Sequence, residues 1–120
     1  MRNLIFPLLL SAGLVCGLGS ANAASEFQID SSDLKEGKFA ESQVLISFGC
    51  SGGNISPQLS WHGEPAGTKS FVVSIYDQDA PSGSGWWHWV VANIPAKVHQ
   101  LPQGASGDAS KLPVGALQTN

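Results

Sequence analysis

The chain has 120 residues, of which 42% are hydrophobic and only 12% are charged, and its formal net charge is −3 at pH 7. This length suits one domain built around one hydrophobic core. Arg2 is the only arginine and the lysines are few and scattered, so the chain offers no basic cluster for a nucleic-acid backbone or an anionic membrane surface. These features exclude nucleic acid as an expected partner.

The first predicted element is an export signal. An apolar run at residues 4–18 is too short and too rich in glycine to span a bilayer comfortably, and the small residues Ala21 and Ala23 follow it in "SANAA". This order is typical of a signal peptide that is cleaved after Ala23. We therefore expect residues 1–23 to be removed and residues 24–120 to form a periplasmic or secreted domain without a transmembrane segment.

After this leader, short runs of β-branched and aromatic residues are separated by turn-forming residues, and no apolar helical period persists. The runs that predict strands are "FQIDS" at 27–31, "QVLISF" at 43–48, "SFVVSIYD" at 70–77 and "WWHWVVANI" at 86–94. The segment "FGCSGGNISPQLSW", with its three glycines, is expected to form a loop of tight turns. The chain is thus expected to be an all-β protein with one domain after the leader.

The last predicted strand is apolar on both faces. Successive side chains of a strand point to opposite sides, so its residues divide into two sets. One set is Trp86, His88, Val90, Ala92 and Ile94, and the other is Trp87, Trp89 and Val91. Such a strand is expected in the middle of a two-layer structure, with Trp86 and His88 turned toward a cleft at the end of the sheet.

Cys50 would be the one cysteine left after removal of the leader, because Cys16 lies within it. In a compartment that oxidises thiols, such a cysteine is buried and inert, pairs between chains, or pairs with a cysteine beyond residue 120. The ending "LPVGALQTN" follows a turn-rich stretch and has no charged tail or helix stop. We expect the third case, with a domain that is incomplete at the C-terminus and Cys50 as a disulfide candidate.

Two carboxylates, Asp77 and Asp79, flank Gln78 where the third predicted strand ends. This spacing fits a general acid and base pair or, together with His88, a site for a divalent metal. Alternatively, Asp79 caps the turn through backbone amides, as aspartate commonly does. We favour the cap for Asp79 and a functional role for Asp77, which lies beside the expected cleft.

His88 stands among three tryptophans in "WWHW", an apolar setting in which an imidazole needs a partner. It is either a core residue bonded to a backbone carbonyl or, with Asp77 nearby, part of a site that offers donors to a phosphate or carboxylate. His62 and His99 lie in polar, turn-rich segments and are expected to be solvated. No serine stands in a nucleophile elbow and Cys50 has no basic neighbour, so hydrolysis by either nucleophile is not expected.

Three elements of the sequence, "SPQLSW", "DQDAP" and "HWVVANIP", occur in an order and spacing that is specific for one family. In these elements the chain, from about Phe27 to its end, resembles the phosphatidylethanolamine-binding protein (PEBP) family, in its bacterial YbhB/YbcL-like, Raf kinase inhibitor-like branch. The resemblance implies a Greek-key sandwich of two antiparallel sheets with a small anion pocket at one end. It also implies a binding protein, with no catalytic residue, metal or cofactor.

The resemblance assigns ligand binding to Asp77, Pro81, Trp86 and His88, with a small anion or a phospholipid head group as the ligand and a protein as a further partner. Two positions depart from the family pattern: Gln78 replaces a proline, and Trp87 stands where some relatives carry a second histidine. The second pocket wall of the family would follow residue 120, and a disulfide from Cys50 to that wall is expected. The alternative is a hydrolase or metal-dependent enzyme that uses Asp77, Asp79 and His88.

Overall fold

The computed structural model describes residues 26–119, so the predicted leader lies outside the described residues. Within this range three short 3-10 helices occur, at Glu41–Gln43, Ala105–Gly107 and Ala109–Lys111. No helix in the same range is both long enough and apolar enough to span a membrane. The strands in chain order are β1 (Gln28–Asp30), β2 (Leu59–His62), β3 (Ser70–Asp77), β4 (Trp86–Pro95), β5 (Gln100–Leu101) and β6 (Leu117–Thr119).

The strands form two antiparallel sheets. One has the order β1-β2-β5 and the other has the order β3-β4-β6. The all-β prediction is therefore confirmed, and so is the central position of the strand that begins at Trp86. In the described residues, the long pair of strands β3 and β4 supplies the framework on which the candidate site is built.

The core lies between the two sheets, because buried side chains from both of them form one cluster. Trp61 of the first sheet meets Phe71 of the second edge to face, with ring centroids 5.5 Å apart, a geometry that aromatic pairs prefer. Each sheet thus turns an apolar face toward the other. The buried members of the cluster are Leu59, Trp61, Phe71, Val73, Trp89, Val91, Ile94, Leu101 and Ala105.

Strand β3 follows the expected alternation. Phe71 and Val73 are buried on the inner face, and the same face continues through Ile75 to Asp77, both half-buried. The intervening residues are exposed. The predicted bounds 70–77 are confirmed, because a regular two-residue period leaves little freedom in where this strand lies.

Strand β4 departs from that alternation at two β-bulges. Phe71 pairs with Ile94 and Val73 pairs with Val91, so β4 carries one extra residue between them. The second bulge lies between the pairs Ile75 with Trp89 and Tyr76 with Trp87, where the extra residue is His88. Each bulge shifts the side chains of β4 by one position, from one face to the other.

The prediction that Trp87 and Trp89 lie on the same face of this strand was therefore wrong. Trp89 is 2% exposed and lies in the core with Val91 and Ile94, whereas Trp87 is 58% exposed. Trp87 packs on the exposed ring of Tyr76, with ring centroids 4.5 Å apart. The bulge at His88 explains the difference, because it places Trp89 on the inner face and leaves Trp87 outside.

The predicted strand at 43–48 was also wrong, since this segment is a 3-10 turn followed by an irregular loop. Phe48 and Gly49 have left-handed backbone conformations, with φ of 54° and 90°, which a regular strand does not allow. The loop then folds back on itself, with the amide of Gly52 donating to the carbonyl of Leu45 at 3.1 Å. Strand β2 instead lies at the end of the segment that was predicted to be a loop.

Glu64 and His99 form a surface pair whose contribution to stability depends on pH. His99 Nε2 lies 2.8 Å from Glu64 Oε1. This hydrogen bond raises the pKa of His99 above its ordinary value of 6.5 and lowers the pKa of Glu64 below its ordinary value of 4.5. The His99 contribution is therefore lost as pH rises through the raised pKa, and the Glu64 contribution is lost as pH falls through the lowered one.

We expect the stability difference between wild type and His99→Gln to be largest between pH 4.5 and pH 6.5, the ordinary values of the two groups. A constant part remains at every pH, because the imidazole also packs against Phe71, with ring centroids 5.8 Å apart. Urea unfolding of both proteins at a series of pH values measures the difference. A difference that does not change with pH would contradict this account.

Candidate functional site

Two adjacent cavities lie at the end of the second sheet, where β3 ends and β4 begins. Both are lined by Asp77 and His88 from these strands and by Val44 and Leu45 from the loop that follows the first 3-10 helix. One cavity, of about 540 Å³, is bounded by the turn between the strands and is called the turn-side cavity. The other, of about 360 Å³, reaches the buried residues Pro57 and Trp89 and is called the core-side cavity.

The turn-side cavity brings together all of the residues predicted from the sequence to bind a ligand. Asp77, Pro81, Trp86 and His88 line it, and so does Cys50. Trp86 and His88 therefore do face one cleft, as the sequence predicts. The remaining lining residues are Val44, Leu45, Phe48, Ala80 and Ser82.

The pair Asp77 and His88 is positioned by the sheet itself. Asp77 is the last inner-face residue of β3 and pairs in register with Trp86, while His88 is the extra residue of the adjacent bulge. His88 Nε2 lies 3.8 Å from Asp77 Oδ2, and the two side chains are 34% and 46% exposed. Bulges commonly redirect a side chain in this way next to functional sites. The arrangement places one imidazole beside one carboxylate, and both remain accessible to a ligand.

The turn after β3 is fixed by side-chain hydrogen bonds, which hold Pro81 and Trp86 at the edge of the cavity. Ser82 Oγ donates to the carbonyl of Gly85 at 2.5 Å, and the hydroxyl of Tyr76 donates to the carbonyl of Ser84 at 2.6 Å. Gly85 has φ of 73°, and a Cβ there would overlap the Tyr76 hydroxyl. Glycine is therefore required at the point where the turn enters β4.

The cap that was expected from Asp79 is wrong, whereas Asp77 does lie in the cavity beside His88. The carboxylate that caps the turn belongs to Asp77, whose Oδ1 accepts a hydrogen bond of 2.9 Å from the backbone amide of Asp79. Asp77 thus uses one oxygen for the turn and turns the other toward His88. Asp79 lines neither cavity, so the structure does not bring the two carboxylates together on one site. Among residues 26–119 no group of three His, Cys, Asp or Glu side chains could hold a metal ion.

The other two histidines lie away from the cavities. His62 Nδ1 is 3.5 Å from Asp30 Oδ2 at an exposed position, and His99 is the partner of Glu64. Cys50 is exposed and has a free thiol, so its expected disulfide stays a prediction.

Sequence reasoning missed the wall that Val44 and Leu45 form between the cavities, because that segment was expected to be a strand. The signal that could have located it is the glycine pair Gly52 and Gly53. Gly52 allows a close approach to the backbone of Val44, and Gly53 allows one to the backbone of Ser42 in the first 3-10 helix.

Comparisons with known proteins agree with this architecture. Protein YbcL of Escherichia coli (strain K12) is 53% identical over 113 residues, which cover 92% of this chain and 61% of YbcL. Protein YbhB of the same organism is 54% identical over 90 residues, which cover 74% of this chain and 57% of YbhB. The chain therefore spans less than two thirds of the length of these relatives.

A solved structure supports the same relationship. The crystal structure of E. coli YbcL, described as a new member of the mammalian PEBP family, matches with a TM-score of 0.72 at 56% identity. The match covers 78% of this chain and 58% of that chain. The family model for phosphatidylethanolamine-binding proteins matches residues 31–120, which include both cavities. The chain therefore belongs to the phosphatidylethanolamine-binding protein family.

Proposed function

We propose that this chain is part of a binding protein for a small phosphate-bearing ligand, either inorganic phosphate or the head group of a phospholipid, which it holds at His88. One observation carries the proposal: the bulge in β4 places His88 3.8 Å from Asp77, in the same cavity as Pro81 and Trp86. The family name points to the same class of ligand.

The chemistry of the pair explains how an anion could be held without a cluster of lysines or arginines. A protonated imidazole donates from both ring nitrogens, so it can face a carboxylate with one and a phosphate oxygen with the other. A carboxylate beside a phosphate repels it unless a proton lies between them. Binding through a single imidazole is expected to be weak, and specificity then comes from the apolar walls around it.

Replacement of His88 by alanine is expected to abolish the binding of inorganic phosphate and of O-phosphorylethanolamine, because it removes the donor that faces the ligand. Titration of the isotope-labelled protein by NMR measures this. His62→Ala is the matched control, since His62 also lies near a carboxylate, 3.5 Å from Asp30 Oδ2, but outside the cavities. If both variants bind like wild type, the ligand is not held at His88.

We also propose that the protein acts in the periplasm or outside the cell, to which residues 1–23 direct it, and that it acts together with a protein partner. The predicted leader supports this location. The mass of the mature protein shows whether the leader is removed, because cleavage after Ala23 leaves a chain that begins at Ala24.

A further inference from the structure

The wall between the two cavities is a short segment of the loop at residues 44–54. Val44 and Leu45 line both cavities, so their position decides how much space lies on either side of Asp77 and His88. The loop holds this wall by its own hydrogen bonds. The amide of Asn54 donates to the carbonyl of Val44 at 2.9 Å, and that of Gly52 donates to the carbonyl of Leu45 at 3.1 Å.

Gly52 lies against Val44 of this wall. It is buried and lines neither cavity, while a Cβ at its position would overlap the carbonyl oxygen and the Cβ of Val44. The obstacle is backbone, which cannot rotate away as a flexible side chain can. Gly52 does not have a positive φ, so the restriction on this position is the space beside Val44 and not the backbone conformation.

We propose that Gly52 positions the Val44–Leu45 wall and thereby limits the size of the ligand that reaches His88. This inference rests on the proposed function and extends it to the selectivity of the site for ligands of different size. Gly52 acts through Val44 and does not touch the ligand, so it is a positioning residue.

Two substitutions are expected to change the selectivity in opposite directions. Gly52→Ala pushes Val44 away from residue 52, and we expect this shift to narrow the cavities that Val44 lines. Val44→Ala removes methyl groups from the wall itself and widens both cavities. A larger phosphomonoester should respond to these changes more strongly than inorganic phosphate, because it occupies more of the space that the wall bounds.

The test is the ratio of the affinities for O-phosphorylethanolamine and inorganic phosphate, measured by NMR titration. Relative to wild type, we expect this ratio to fall by at least about threefold in Gly52→Ala and to rise in Val44→Ala, a size of effect that one or two methyl groups in a pocket can produce. Gly107→Ala is the matched control, since Gly107 has nothing within 4 Å of its Cβ position and no positive φ. If Gly52 had a purely structural role, Gly52→Ala would lower the affinity for both ligands equally.

The outcomes separate the inference from the proposed function. If wild type binds neither ligand, or His88→Ala binds both normally, the proposed function fails. If wild type binds through His88 but the ratio is unchanged in both wall variants, the inference about Gly52 and Val44 is wrong while the function stands. Should Gly52→Ala not fold, Val44→Ala still tests whether the wall limits the size of the ligand. An unchanged or lower affinity ratio in that variant overturns the inference.

Discussion

Replacement of Trp89 by alanine is expected to lower the free energy of unfolding by about 3–5 kcal/mol, the usual cost of truncating a large buried aromatic side chain. Trp89 is 2% exposed and belongs to the core between the sheets, as Val91 does, and the half-buried Ile75 packs against this core. Its indole nitrogen also donates a hydrogen bond of 2.8 Å to Gln118 Oε1, which connects β4 to β6. The substitution thus removes both core volume and a contact between strands.

Urea unfolding measures this loss, and Trp87→Ala provides the control on the adjacent position. Trp87 is 58% exposed and packs mainly on Tyr76, so its truncation is expected to cost only about 1 kcal/mol, in the range of one aromatic pair. Similar losses in the two variants would mean that the bulge at His88 does not separate an inner Trp89 from an outer Trp87.

This pair of tryptophans also shows what the sequence could predict about the fold. Strand β3 was predicted with its correct bounds, because its alternation is regular and turns flank it on both sides. The same reasoning assigned Trp87 and Trp89 to one face, since nothing in "WWHWVV" marks the extra residue at His88. A bulge depends on the pairing with the neighbouring strand, and the sequence of one strand alone does not contain that information.

The loop that carries Val44 was missed for a related reason. Its composition in "QVLISF" favours a strand, but Phe48 has a left-handed conformation with φ of 54°. The pattern of side chains does not predict this backbone conformation. The glycine pair at residues 52 and 53 was interpreted only as part of a loop of tight turns. In the structure Gly52 is required because the loop packs against its own backbone.

The candidate site was predicted more completely than the strands around it. The predicted residues come from two short segments, one at the end of β3 and one at the start of β4: Asp77, Pro81, Trp86 and His88. Adjacent antiparallel strands bring two such segments together even when a bulge changes the register further along the strands. The role of each carboxylate was less predictable. Which of Asp77 and Asp79 caps the turn depends on the backbone conformation of the turn itself.

The other bulge of β4 makes Asn93 the second sensitive position in this strand. Asn93 has φ of 57°, and its Nδ2 donates a hydrogen bond of 2.7 Å to the carbonyl of Gly115. The bulge brings Ile94, which is 0% exposed, into the core opposite Phe71. Asparagine tolerates the left-handed region better than most residues, whereas a β-branched side chain does not.

Asn93→Val is therefore expected to destabilise the protein by about 2–4 kcal/mol, the sum of backbone strain and a lost hydrogen bond. Asn93→Gly separates the two causes, because glycine adopts the same φ without strain and loses only the side-chain bond, at a cost of about 1 kcal/mol. Urea unfolding of both variants measures the difference. Equal losses of unfolding free energy in the two variants would show that the left-handed conformation of Asn93 is not what places Ile94 in the core. A larger loss for valine would show that the packing between the sheets depends on this conformation in the bulge.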